Sequence, residues 1–131
     1  MKVENDIICY EIKDGILYSV YKVNLKVKIK EAKEIIDLRH QISNNEKQYW
    51  CYNINGLKSL DKESRDYADQ NGQELLHACA VVINSYLTKF IFNTFLMIKK
   101  PKMHFKAFND KESAVEWLNK IKRNNELLSL D

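Results

Sequence analysis

Ala78-Cys79-Ala80-Val81-Val82-Ile83 is an unbroken apolar run closed by Asn84-Ser85. A strand of that kind has no face to give to water, so it belongs inside a parallel sheet covered on both sides. Parallel neighbours are joined by long crossovers, usually helices. The run therefore predicts an α/β domain.

The rest of the chain supplies such neighbours. Residues 7–12 and 16–21 are β-rich and separated by Lys13-Asp14-Gly15. Asp-Gly between two such runs predicts a tight hairpin. Leu25, Val27 and Ile29 alternate with Lys26, Lys28 and Lys30, which predicts a half-buried or edge strand whose lysines discourage edge-to-edge association. The period then changes. Ala32, Ile35, Ile36, Arg39 and Ile42 form one helical stripe opposite Glu31, Lys33, Glu34 and Asp37, and this helix ends near Ser43-Asn44-Asn45.

Residues 49–54 read as an aromatic strand closed by Asn55-Gly56, and 59–72 as a polar segment with helix-start chemistry at Ser59 and Asp61. Residues 86–99 predict an apolar helix that Pro101 stops. Residues 103–108 give the last strand. Asn109 or Asp110 opens a final helix striped by Ala114, Trp117, Leu118 and Ile121. The expected fold is a mixed, mostly parallel sheet with an N-terminal antiparallel hairpin and about four helices.

At 131 residues with 3 Gly and 1 Pro, the chain has the length of one domain and little room for linkers. We expect one domain over 1–122 and a flexible tail over 123–131. The net charge of +3 comes from interspersed signs, which points to solubility rather than nucleic-acid binding. Two lysine groups, Lys22, Lys26, Lys28, Lys30 and Lys33, then Lys99, Lys100 and Lys102, would suit an anionic membrane surface only if they converged. No signal-peptide pattern opens the sequence, and the 86–98 stretch is too short to span a bilayer. Cys9, Cys51 and Cys79 are widely spaced in apolar runs, as free thiols of a cytoplasmic protein would be.

The chemistry-bearing residues form no catalytic set. His40, His77 and His104 are scattered over different elements, no paired metal ligands occur, and Ser85 lacks a nucleophile elbow. The expectation is therefore a non-enzymatic protein with no metal or cofactor. The anomaly is the 86–98 helix, where Leu87, Phe90, Ile91, Phe95 and Ile98 make one face and Tyr86, Phe92, Leu96 and Met97 widen it. A helix apolar nearly all round is enclosed, or it meets something apolar. Tyr86, Phe90, Phe92, Phe95 and Met97 are the candidate interface, most simply of a homodimer.

The order of Tyr52-Asn53-Ile54-Asn55-Gly56-Leu57-Lys58-Ser59-Leu60-Asp61, Ser64-Arg65-Asp66-Tyr67, the apolar run at 78–85, Lys100-Pro101-Lys102, Phe108-Asn109-Asp110 and Ala114-Val115-Glu116-Trp117-Leu118 resembles a bacterial STAS-like group. That group is related in fold to anti-sigma-factor antagonists and, more loosely, to CRAL-TRIO lipid-binding domains. The resemblance implies a STAS-like fold and a regulatory module working through a protein partner. In the antagonists a serine at a helix start is phosphorylated to switch that partnership. Here the matching stretch is Asp61-Lys62-Glu63-Ser64, with Glu63 where the hydroxyl should stand. Ser59, Asp61, Glu63 and Ser64 form the candidate regulatory loop, with Ser59 and Asp61 as plain helix caps the blander reading. The looser relatives imply an alternative: a carrier of a small apolar or lipid ligand.

Overall fold

The computed structural model describes residues 1–98 and 103–130, with side chains through residue 93 and again from residue 103. In chain order the elements are β1 (Lys2–Glu4), β2 (Ile8–Lys13), β3 (Ile16–Tyr21), β4 (Leu25–Val27), α1 (Ile29–Ser43), β5 (Gln48–Asn53), β6 (Leu57–Leu60), α2 (Lys62–Asn71), β7 (Leu76–Val82), α3 (Tyr86–Ile98), β8 (His104–Phe108) and α4 (Lys111–Leu128).

Asp14 and Gly15, at φ 52° and 77°, turn β2 into β3. Positive φ at both central positions gives the turn whose twist matches paired strands. β1 pairs antiparallel on the other side of β2. From β3 onward all pairing in this sheet is parallel, β3 to β5, β5 to β7 and β7 to β8. The order of the six-stranded sheet is thus β1-β2-β3-β5-β7-β8, and β4 and β6 form a separate parallel pair. The expected α/β class holds, with its antiparallel N-terminal hairpin and four helices.

Side chains alternate across this sheet. Ile8, Tyr10, Leu17, Trp50, Cys79 and Val81 enter one core together with Ala32 and Ile35 of α1, Phe92 of α3, and Val27 and Leu57 of the small sheet. Ile16, Tyr49, Cys51, Ala78, Ala80 and Val82 enter a second core against Ala114 and Leu118 of α4. Three crossovers stepping one way across a sheet place their helices on one face when each is right-handed. The opposite face is left to α4. The continuous run that opened the sequence reading is buried on both sides, as expected.

Four expectations are corrected. The alternating strand stops at Val27, and Ile29 starts α1 because Lys28 caps it, with its backbone N–H bonded to Glu31 Oε1 at 3.0 Å. That strand is no edge of the main sheet, since it pairs with β6, a strand the sequence reading missed. Ser59 lies in β6 beside Lys26, so Asp61 alone caps α2, its carboxylate accepting from Ser64 N at 2.9 Å. Residues 123–128, expected as a tail, continue α4, and Asn125 Nδ2 donates to Tyr49 Oη at 2.9 Å.

Among the described residues the largest fully buried side chain is a charged one, Arg39 of α1, at 0% exposure. Its guanidinium donates to Gln48 Oε1 at 2.9 Å, Glu74 O at 2.8 Å and Gly72 O at 3.0 Å, and lies 5.0 Å from the centre of the Trp50 ring. The five-donor fork binds the turn between α2 and β7 to α1 and to the start of β5. That turn is tight. Leu75 has φ 58°, and a Cβ on Gly72 would sit 2.6 Å from Ala68 O. We predict that Arg39→Ala, which orphans buried carbonyls and opens a void, lowers stability by about 3 kcal/mol or more. Arg39→Lys should recover only part of that. Urea unfolding at constant m-value measures both, and a loss below about 1 kcal/mol for Arg39→Ala would remove the central place given to this residue.

Candidate functional site

The helix-rich face of the sheet does not fill completely. A cavity of about 140 Å³ lies between Tyr21, Trp50, Tyr52, Cys79 and Phe105 on the sheet and Ala32, Ile35 and Ile36 of α1. α2 and the turn after it contribute Ser64, Ala68, Gly72 and Gln73, α3 contributes Phe92, and Leu57 and Leu60 come from the small sheet. None of the described lining residues carries a charge.

Parallel register puts the walls together. Trp50 stands opposite Cys79, and Cys79 opposite Phe105, so one row crosses three strands. Trp50 and Tyr52 stack at 4.0 Å with planes 10° apart, and Tyr21 meets Tyr52 edge-on at 5.9 Å. Phe92 and Phe105 stack nearly parallel, 5.6 Å apart. Five aromatic rings, Tyr21, Trp50, Tyr52, Phe92 and Phe105, thus line the cavity.

Its polar atoms are few. Trp50 Nε1 donates to Ser19 Oγ at 2.8 Å and Ser64 Oγ to Val27 O at 3.2 Å. The Tyr21 and Tyr52 hydroxyls lie 2.5 Å apart in one hydrogen bond. Burial raises both phenols well above their ordinary range, and it pushes the Cys79 thiol up in the same way. These groups are neutral near pH 7, so the cavity offers an uncharged environment and no thiolate.

The residues singled out from sequence do not converge. Ser64 is 0% exposed, its hydroxyl donates to Val27 O, and it lines the cavity. Ser59 and Glu63 are exposed, on β6 and in the first turn of α2 respectively. Of the candidate interface, Tyr86 and Phe90 are 93% and 71% exposed, whereas Phe92 is 6% exposed and belongs to the core. Phe92 turns inward because position 92 shares a helix side with Thr88, which is also buried and donates to Leu57 O at 3.3 Å. The Phe95 and Met97 side chains and the Lys99, Lys100 and Lys102 cluster lie outside the described residues.

Sequence reasoning missed the cavity. Its only local sign was the density of aromatic residues at 49–52, which periodicity assigns simply to a strand. The cysteines stay thiols among the described residues, and burial holds Cys51 up at about 11. No group of three His, Cys, Asp or Glu among the described residues could hold a metal. No described helix is long and apolar enough to cross a membrane.

Residues 10–122 match the model of a family described as a domain of unknown function, DUF7793. The chain belongs to the DUF7793 family. No curated protein and no solved structure matches it. The match runs from Tyr10 in β2 into α4, so the DUF7793 unit includes the buried residues of both cores except Ile8, and the whole described cavity wall.

Two histidines of this DUF7793 domain tie its stability to pH. His40 Nε2 accepts from Arg39 Nη2 at 3.2 Å, and burial, then the Arg39 charge, lowers its pKa. His77 stacks on Tyr49 at 4.7 Å, and burial, then Lys47, lowers its pKa. Below the ordinary histidine value near 6.5 the unfolded chain binds these protons first, so acid favours unfolding. We predict that stability is full above about pH 7 and falls as pH drops through about 6.5 towards the lowered folded values. His40→Asn/His77→Phe should flatten that slope. Urea midpoints between pH 7.5 and 5.5 measure it, and identical slopes in the two proteins would contradict the assignment.

Proposed function

We propose that this domain is a non-enzymatic STAS-like binding module and that it carries a small apolar ligand. One observation supports the reading above others: the aromatic-walled cavity of about 140 Å³ against the main core, whose described lining residues carry no charge. An apolar cavity of about 150 Å³ in another protein stays dry and takes up one benzene, so the space is of ligand size. Deep pockets with apolar walls and few polar groups are the usual form of small-molecule sites. The carrier reading moves ahead of the protein-contact module that the sequence placed first.

Saturating toluene should raise the melting temperature of the wild-type protein, since a ligand that binds only the folded state stabilises it by mass action. Ala68→Phe should fill the cavity and abolish the shift, and Ala32→Leu serves as a second filler should the first fail to fold. A wild-type protein indifferent to toluene would sink the carrier reading.

Protein contact remains a second reading because Tyr86, Leu87 and Phe90 are exposed together at the start of α3. Apolar side chains clustered on one surface patch suit a protein interface, here a homodimer in the cytoplasm. Sedimentation at high concentration should then show a dimer that Tyr86→Asp/Phe90→Asp converts to monomer. A wild-type protein that stays monomeric would remove the homodimer.

A further inference from the structure

The carrier reading leaves open what kind of small molecule fits, and the Tyr21–Tyr52 pair narrows it. Two hydroxyls facing each other at 2.5 Å use one proton between them. The second hydroxyl proton has no acceptor among the described residues, and it sits on a side chain that lines the cavity. Two other polar groups of the wall are spoken for, the Trp50 indole N–H by Ser19 and the Ser64 hydroxyl by Val27 O, and the Gln73 amide also lines the cavity. The tyrosine pair therefore presents an O–H donor in a wall that is mostly apolar among the described residues.

We propose that the Tyr21–Tyr52 hydroxyl pair anchors the ligand, which is a small, uncharged aromatic molecule carrying an oxygen that accepts a hydrogen bond. The aromatic character follows from the walls. Tyr21, Trp50, Tyr52, Phe92 and Phe105 all line the space. A ring set among such rings gains contact that an aliphatic molecule of similar size does not. The absence of charge follows from the described lining residues, among which an ionised group would lose its hydration with no opposite charge to meet. The oxygen follows from the O–H donor of the tyrosine pair. A hydroxylated or carbonyl-bearing ring brought into a purely hydrocarbon cavity loses its hydrogen bonds to water and binds poorly. With the tyrosine donor in place that loss is offset.

This inference rests on the carrier reading, and the test separates the two. Toluene, p-cresol and p-toluate are similar in size and differ in oxygen and charge. We expect the wild-type protein to bind p-cresol about tenfold or more tightly than toluene by calorimetry, and p-toluate not at all. In Tyr21→Phe/Tyr52→Phe the preference for p-cresol should vanish while toluene binding persists, which also shows that the variant is folded and its cavity intact. The double replacement is needed, because a lone tyrosine would keep a free O–H. Should it fail to fold, spectra of wild-type protein with 13Cζ-labelled tyrosine supply the readout: p-cresol should move two of the seven tyrosine signals and toluene neither. Toluene binding with p-cresol excluded, or equal p-cresol affinity in both proteins, would overturn the anchor and leave the carrier reading standing. Binding of p-toluate would overturn the uncharged class. If neither neutral probe binds, the carrier reading falls and the anchor with it.

Discussion

A buried guanidinium without a carboxylate partner among the described residues holds this domain together. Arg39 binds backbone carbonyls at Gly72 and Glu74 and the Gln48 side chain, and its flat face covers Trp50. Burial lowers its pKa, but an arginine starts so high that it stays charged. Carbonyl dipoles, a ring face and the Gln48 oxygen share the work that one counter-ion would do. The consequence is geometric. Three segments, α1, the start of β5 that follows it and the more distant turn into β7, are held at one point. That point fixes where α1 sits above the sheet.

The two faces of the sheet are covered in different ways. On one side α4 lies close because Ala78, Ala80 and Ala114 are small, and Leu118 fills the remaining space. On the other side, three helices and a two-stranded sheet bridge over large aromatic rings. Close packing with small residues leaves no room, whereas large rings held in fixed stacks leave gaps that neighbours cannot flow into. Trp50 is held by Ser19 and Arg39, and Tyr52 by Tyr21. Their rigidity keeps the cavity open.

Much of the architecture was legible in the sequence because local chemistry decides it. Asp14-Gly15 specifies its turn, Asp110 caps α4 by accepting from Ser113 N at 2.7 Å, and the run at 78–83 needs cover on both faces. Arg39 could be placed on the apolar stripe of its helix, though its partners could not. β6 escaped because Leu-Lys-Ser-Leu is too short to show a period, and its pairing partners in β4 lie 32 or 33 positions earlier, at 25–27 against 57–60. The cavity escaped for a stronger reason. Its described walls come from nine elements, and an unfilled volume leaves no mark on any one of them. Phe92 was misplaced for a related cause: an all-apolar helix gives periodicity nothing to discriminate, and only the sheet beneath shows which side turns inward.

In the main sheet the spatial order of strands is the same as their order along the chain. No strand has to be slotted between two already paired, and no late segment completes an early one. Each addition at the growing edge requires closing only the loop of the latest crossover, so the entropy of assembly is spread over several modest steps. The hairpin, which forms from adjacent residues, is available as a template before the rest exists. A chain emerging from a ribosome could lay down this sheet from one side to the other, leaving α4, which covers the bare face, until the end.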